Sequence, residues 1–164
     1  MTEFARRSAR VLVLDAADRL LLIRSALVPG KPEHGYAWFT PGGEVEASED
    51  LASAAARELR EETGLHAMPG DLMLVAYTTG QADLGWASGL IRDDFFLLRV
   101  VAHQVDPAGM TAFERTHYHG HRWWTQAELA ASSETIHPNN LAGLAAELIA
   151  GRVPASPVVL PWRR

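Results

Sequence analysis

The chain has 164 residues, of which 48% are hydrophobic and 21% charged, with a formal net charge of -5 and no cysteine. That length and composition fit one globular domain over 1–164, and they exclude disulfides, thiolate zinc sites and cysteine nucleophiles. The acidity argues against a broad basic footprint for nucleic acid, but small phosphorylated ligands stay open because a metal ion supplies positive charge locally.

The first residues, MTEFARRSARVLVLD, carry no signal-peptide pattern, and no apolar run approaches membrane-spanning length, so a cytoplasmic protein is expected. Two short apolar runs, 9–15 and 19–25, are separated by AAD and read as a hairpin. Residues 26–35 hold two prolines and two glycines and read as a loop. YAWFTPGGEV then gives a short strand running into Pro41-Gly42-Gly43, with Thr40 extended because it precedes proline.

Ser48 reads as the N-cap of the main helix, with Glu49 and Asp50 in a first turn whose dipole favours anions. Gly64 closes that helix. Residues 71–80 read as a strand, 81–93 as a loop, 94–105 as the strongest strand and 106–115 as a loop or turn. HYHGHRWWT (117–125) reads as a last strand, TQAELAA as a short helix capped by Thr125, and 139–151 as an amphipathic helix stopped by glycine. The proline-rich segment 152–164 is expected to be extended. Its apolar PVVLPW stretch has two possible seats, within the chain or at a homodimer interface. Strands alternating with a few helices give an α/β or α+β sandwich.

The main helix has an unusual charge distribution. At 100° per residue Leu51, Ala52, Ala55, Ala56 and Leu59 fall on one apolar side. Glu58, Glu61 and Glu62 share an adjacent arc, bordered by Arg57. Like charges at i,i+3 and i,i+4 repel. One reading is a solvated face with Arg57 and Glu61 as an ordinary pair; the other is a platform for a divalent cation, since Mg²⁺ takes carboxylate oxygens and shares its shell with phosphates.

The stretch GGEVEASEDLASAAARELREETGL resembles the Nudix box, G-x5-E-x7-R-E-U-x-E-E-x-G-U with U a bulky aliphatic. The matching residues are Gly43, Glu49, Arg57, Glu58, Leu59, Glu61, Glu62, Gly64 and Leu65. Every defining position of the motif is met, and the strand-rich flanks are also similar to the MutT-like members of the Nudix superfamily.

The resemblance implies an α/β fold, an α/β/α sandwich with a mixed sheet. It implies hydrolysis of a pyrophosphate bond, by water attack at phosphorus, in a nucleoside diphosphate derivative or nucleoside triphosphate. By motif position Glu58, Glu61 and Glu62 would hold Mg²⁺ or Mn²⁺, with the carbonyl of Gly42 as a further ligand and Arg57 holding the glutamates in place. The general base would be Glu58 or a glutamate from a later loop. Glu114, the only acidic residue between Asp106 and Glu128, is the candidate for that late base or metal ligand; a solvated loop carboxylate is the other reading. The position close before the tryptophans, where relatives often carry glutamate, holds His119, His121 and Arg122 instead. A catalytically silent nucleotide sensor and an RNA 5'-end pyrophosphohydrolase are the alternative functions.

Outside the box, Arg24 and Arg92 are candidate phosphate contacts, and Trp86 in a glycine-rich loop is the candidate mobile substrate contact. Trp38, Trp123 and Trp124 are either base-stacking surfaces or core. His117, His119 and His121 alternate, so a regular strand would put all three on one face.

Overall fold

A computed structural model of the protein describes residues 3–28, 30–83 and 88–162. In chain order they form strands Arg6–Leu14 (β1), Leu20–Ala26 (β2), Tyr36–Phe39 (β3) and Gly42–Glu44 (β4), then helix Leu51–Thr63 (α1). Strands Met73–Asp83 (β5) and Ser88–Arg99 (β6), a one-turn helix Ala112–Arg115 (α2), strand Tyr118–Trp124 (β7) and helix Gln126–Ala131 (α3) follow. Strand Ile136–His137 (β8), helix Leu141–Ile149 (α4) and strand Val158–Val159 (β9) complete the order.

The expected hairpin forms. Asp15 turns it: its carboxylate accepts from the N–H groups of Ala17 (3.0 Å) and Arg19 (2.9 Å). β1 and β2 are in register only at Leu14 and Leu20, and there the sheet forks. One arm runs from β1 to β6, β5 and β9, with β4 on the free part of β1. The other arm is built on β2, which pairs β3 and β7, and β3 pairs β8. The β1–β6, β3–β8 and β5–β9 pairs are parallel and the rest antiparallel, so the sheet is mixed.

Period-two alternation sorts the core into two layers. Val11 and Val13 on β1 and Phe96 on β6 pack with Ala54, Ala55 and Leu59 of α1. Leu12, Leu14, Phe95 and Leu97 face the other way, onto Leu129 of α3 and Leu141, Leu144 and Leu148 of α4. Phe95 and Phe96, adjacent in sequence, thus fill opposite layers of an α/β/α sandwich.

The structure corrects several expectations. Asp50 caps α1, not Ser48: its carboxylate accepts from the Ser53 N–H at 2.8 Å, and Glu49 turns to Arg57 instead. Gly64 closes α1 as expected, in the left-handed conformation at φ 74°. Residues 81–93 are mostly strand. Gly80 and Gly89 look like loop chemistry, but the β5–β6 ladder carries through them to Asp83 and Ser88. Conversely β6 stops at Arg99, and Val105 leaves the sheet to bury against the α1 layer. Residues 112–115 form one helical turn closed by a reciprocal Thr111–Glu114 capping box. The late segment packs within the chain: β9 pairs β5, the Leu160 N–H donates to the Tyr77 carbonyl at 2.8 Å, and the Leu160 side chain enters the core. No helix among the described residues is long and apolar enough to cross a membrane.

Candidate active site

The carboxylates of α1 are organised by one guanidinium. Arg57 donates to both oxygens of Glu49 (2.7 and 2.8 Å), to Glu58 at 2.9 Å and, more weakly, to Glu61 at 3.4 Å. A further donor meets the Glu44 carbonyl at 3.1 Å. The planar fork suits this bidentate role, which a lysine ammonium cannot fill. Hydrogen bonding from Arg57 holds the Glu49 carboxyl down at about 2, and Glu49 in turn keeps Arg57 firmly protonated.

Glu58 is buried, and burial pushes its carboxyl above the usual range against the opposing hydrogen bond from Arg57. Oxygens of Glu58, Glu61 and Glu114 lie within 4.8 Å of one another. The structure therefore brings the late-loop glutamate beside two of the three box glutamates. α2 fixes it there, because the Glu114 carboxylate accepts from the Thr111 N–H at 3.0 Å. The TAFE sequence is a readable capping-box signal for that turn.

Glu62 points elsewhere. Its carboxylate accepts from the Gly42 N–H at 2.8 Å. Burial is the main cause that pushes it up to about 8; the Gly42 hydrogen bond opposes and the Glu58 charge adds. Gly42 and Gly43 make this packing possible. A Cβ on Gly42, at φ +151°, would lie 2.4 Å from the Ala9 carbonyl oxygen, and one on Gly43 would lie 2.6 Å from the Glu58 carboxyl carbon.

Glu58, Glu62 and Glu114 open into a cleft of about 360 Å³ between the two arms of the sheet. That is enough for a small-molecule site. One arm lines it with Arg6 and Arg10 of β1, Thr78 of β5 and Ile91, Asp93 and Phe95 of β6; the other with Ile23 and Ser25 of β2 and Phe39 of β3. Among the described residues, five carboxylates (Glu44, Glu58, Glu62, Asp93, Glu114) and two guanidiniums (Arg6, Arg10) line it.

Strand parity removes the two arginines expected at the phosphates. Ile23 and Ser25 line the cleft, so Arg24 between them points away and stacks on Tyr36 at 4.4 Å. Ile91 and Asp93 line it, so Arg92 lies on the opposite face, paired with Asp94 at 3.0 Å and stacked on Tyr77 at 3.9 Å. Among the described residues, the guanidiniums lining the cleft are those of Arg6 and Arg10, which no motif in the sequence marks. Arg10 also donates to the Thr40 carbonyl at 3.0 Å. The candidate Trp86 lies outside the described residues.

The histidine face is split by an irregularity. β7 pairs Ile23 with His121 but Ser25 with Tyr118, so one extra residue sits in β7 around Gly120, at φ +105°. His119 packs edge-on against Tyr36, while His121 accepts or donates with the Tyr118 hydroxyl at 3.0 Å. His117 contacts Phe113 and lines the cleft. Trp38 and Trp124 are core, T-stacked at 5.1 Å, and Trp123 packs toward the α1 layer. Among the described residues the indole that lines the cleft is Trp162, at the end of the PVVLPW stretch, whose sequence carries no mark of a place there.

Comparison with known proteins places this arrangement. Over 62 residues the chain is 39% identical to the human 8-oxo-dGDP phosphatase NUDT18, a match covering 38% of this chain but only 18% of that protein. The MutT NUDIX hydrolase of Burkholderia pseudomallei superposes with a TM-score of 0.63 at 19% identity, covering 84% of this chain and 94% of that one. The NUDIX domain of Shewanella oneidensis NrtR, solved with ADP ribose, superposes with a TM-score of 0.66 at 14% identity, covering 91% and 90%. These structural likenesses are likenesses of fold. The NUDIX domain model matches residues 5–144, from the first strand through α4's first turns and across the whole glutamate-bearing helix, and the chain therefore belongs to the NUDIX family.

Proposed function

We propose that the protein hydrolyses a pyrophosphate bond in a nucleoside diphosphate derivative or nucleoside triphosphate, with a divalent cation, Mg²⁺ or Mn²⁺, as cofactor. The observation that carries this reading is the convergence of Glu58, Glu61 and Glu114 within 4.8 Å at the wall of a cleft that, among the described residues, holds more carboxylates than arginines. An anionic diphosphate would be repelled from such a cleft unless a cation came with it. The donors are all carboxylate oxygens, which suit a hard divalent ion.

Glu58, Glu61 and Glu114 would hold that ion, with Glu62 and the Gly42 carbonyl completing the acidic floor. Such an ion, when bound, neutralises phosphate charge and lowers the pKa of coordinated water. The protein's own groups do the rest. Arg57 keeps Glu58 and Glu61 in place through its fork. Arg6 and Arg10, facing the cleft, meet phosphate oxygens. The attacking water forms a bond from its oxygen to phosphorus, a carboxylate of the cluster, Glu58 or Glu114, accepts its proton, and the bridging P–O bond breaks to release a phosphate product.

The substrate class draws support from two relatives. One acts on 8-oxo-dGDP and the other was solved with ADP ribose, both diphosphates of a nucleoside. A hydrolysis panel of nucleoside triphosphates, ADP-ribose and dinucleotides with Mg²⁺, read as AMP, phosphate or pyrophosphate release, tests the proposal. Turnover that vanishes in Glu58→Gln and Glu62→Gln supports it. Binding without turnover across the panel would assign a nucleotide-sensing domain instead.

A further inference from the structure

Segment 158–162 is tied to the sheet beside the cleft. Val158 and Val159 run parallel to β5, in register with Ala76 and Tyr77, and the Leu160 N–H closes the pairing on Tyr77. Leu160 is 4% exposed and packs in the same core layer as Ala76 and Phe95. On an extended chain residues two apart point the same way, so Trp162 follows Leu160 to that side of the sheet, one step further along β5. There it meets Gly80. A Cβ on Gly80 would lie 2.3–2.4 Å from three atoms of the indole, so the absence of a side chain is what seats the ring on the β5 backbone.

The seated ring is not core. Trp162 is half-buried and lines the cleft with Pro161, Phe39, His137 and Thr78, and Glu58, Glu62 and Glu114 line the same cleft. Phe39 and His137 are themselves in ring contact at 5.3 Å. Pro161 and Trp162 also border a second hollow, with Glu134, Asn139 and Asn140. The same cleft is thus lined both by the carboxylates that suit a metal-bound diphosphate and by the indole of Trp162.

We propose that Trp162, held over Gly80 by strand β9, is a specificity-determining residue: it stacks on the planar base of the substrate whose diphosphate lies at the glutamates. This rests on the pyrophosphohydrolase reading and names the part of the cleft that selects a nucleotide over other diphosphates. Stacking of a base on an aromatic side chain is tolerant of base identity and is worth on the order of 10–100-fold in affinity.

The test is calorimetric binding, with Mg²⁺, of ADP, GDP and UDP against inorganic pyrophosphate, which has the diphosphate and no base. Trp162→Ala should weaken the three nucleotides on the order of 10–100-fold and leave pyrophosphate within about twofold. Trp162→Phe should restore most of the loss. Gly80→Ala, which keeps the indole but unseats it, should reproduce the Trp162→Ala pattern. Equal weakening of nucleotides and pyrophosphate, or no change for nucleotides, overturns the proposal while leaving the pyrophosphohydrolase reading intact. Failure of the wild-type protein to bind either pyrophosphate or nucleotides overturns both. Melting temperatures of the three variants, taken alongside, separate lost stacking from lost folding.

Discussion

Replacing Arg57 with alanine tests the physical account of the acidic helix. The change deletes the bidentate bond to Glu49, the bond to Glu58, the longer one to Glu61 and the contact with the Glu44 carbonyl. Arg57 and Glu49 are only 20% and 16% exposed at the side chain, so this is a partly buried ion pair and not a surface one. Breaking a buried pair costs about 3–5 kcal/mol; residual solvent contact brings the expectation to about 3 kcal/mol. For a domain of this size that is a fall of about 6–12 °C in melting temperature. The loss depends on pH with a definite sign. Glu49 is lowered from 4.5 to about 2 in the folded protein, so its contribution is fully present above pH 4.5 and is lost as pH falls toward 2. The gap between wild type and Arg57→Ala should therefore be widest at neutral pH and close progressively below pH 4.5. Thermal and urea unfolding in EDTA, from pH 7 down to pH 3, measures it. Arg57→Lys should recover less than half, because an ammonium cannot fork between Glu49 and Glu58. A melting shift below about 2 °C at pH 7, a gap that does not narrow in acid, or full recovery by lysine would show that the Arg57 fork does not hold the helix carboxylates.

Other outcomes follow from the same geometry. Gly43→Ala puts a methyl where the Glu58 carboxyl sits, so it should weaken Mg²⁺ binding by about 10–100-fold with little change in melting, as read by titration calorimetry and circular dichroism. Leu160→Ala should cost about 2–5 kcal/mol in urea unfolding, because the side chain is buried in the α4 layer; a surface-like loss below about 0.5 kcal/mol would mean that β9 is not docked. Mg²⁺ at about 100 times its dissociation constant should stabilise the protein by about 2.7 kcal/mol by relieving repulsion among Glu58, Glu61 and Glu114, and a melting curve unmoved by metal would count against the site.

The box was legible because its residues are local: Arg57, Glu58, Glu61 and Glu62 need only helical spacing to share a face, and Gly64 marks the helix end. The strands on which the two core layers sit were legible in the same way, as the continuous apolar runs VLVL and FFLL. Strand parity was not. Whether Arg24 or its neighbours face the cleft depends on register with β3 and β7, and for Arg92 on register with β1, which no local pattern carries. That Gly80 admits the ring of Trp162 was not legible either, because that partner lies far along the chain. The histidine stripe failed for a similar reason, since the extra residue in β7 shows only in its pairing with β2.

The proposed chemistry is attack of water on a pyrophosphate bond at a metal held by Glu58, Glu61 and Glu114. The most direct measurement is product release from nucleoside diphosphate derivatives and triphosphates by the wild-type protein and Glu58→Gln, each with Mg²⁺ and with EDTA. Expected are Mg²⁺-dependent turnover by the wild type and a loss of about 100-fold or more in Glu58→Gln at unchanged melting temperature. Equal turnover by the two proteins, or turnover undiminished in EDTA, would contradict that chemistry.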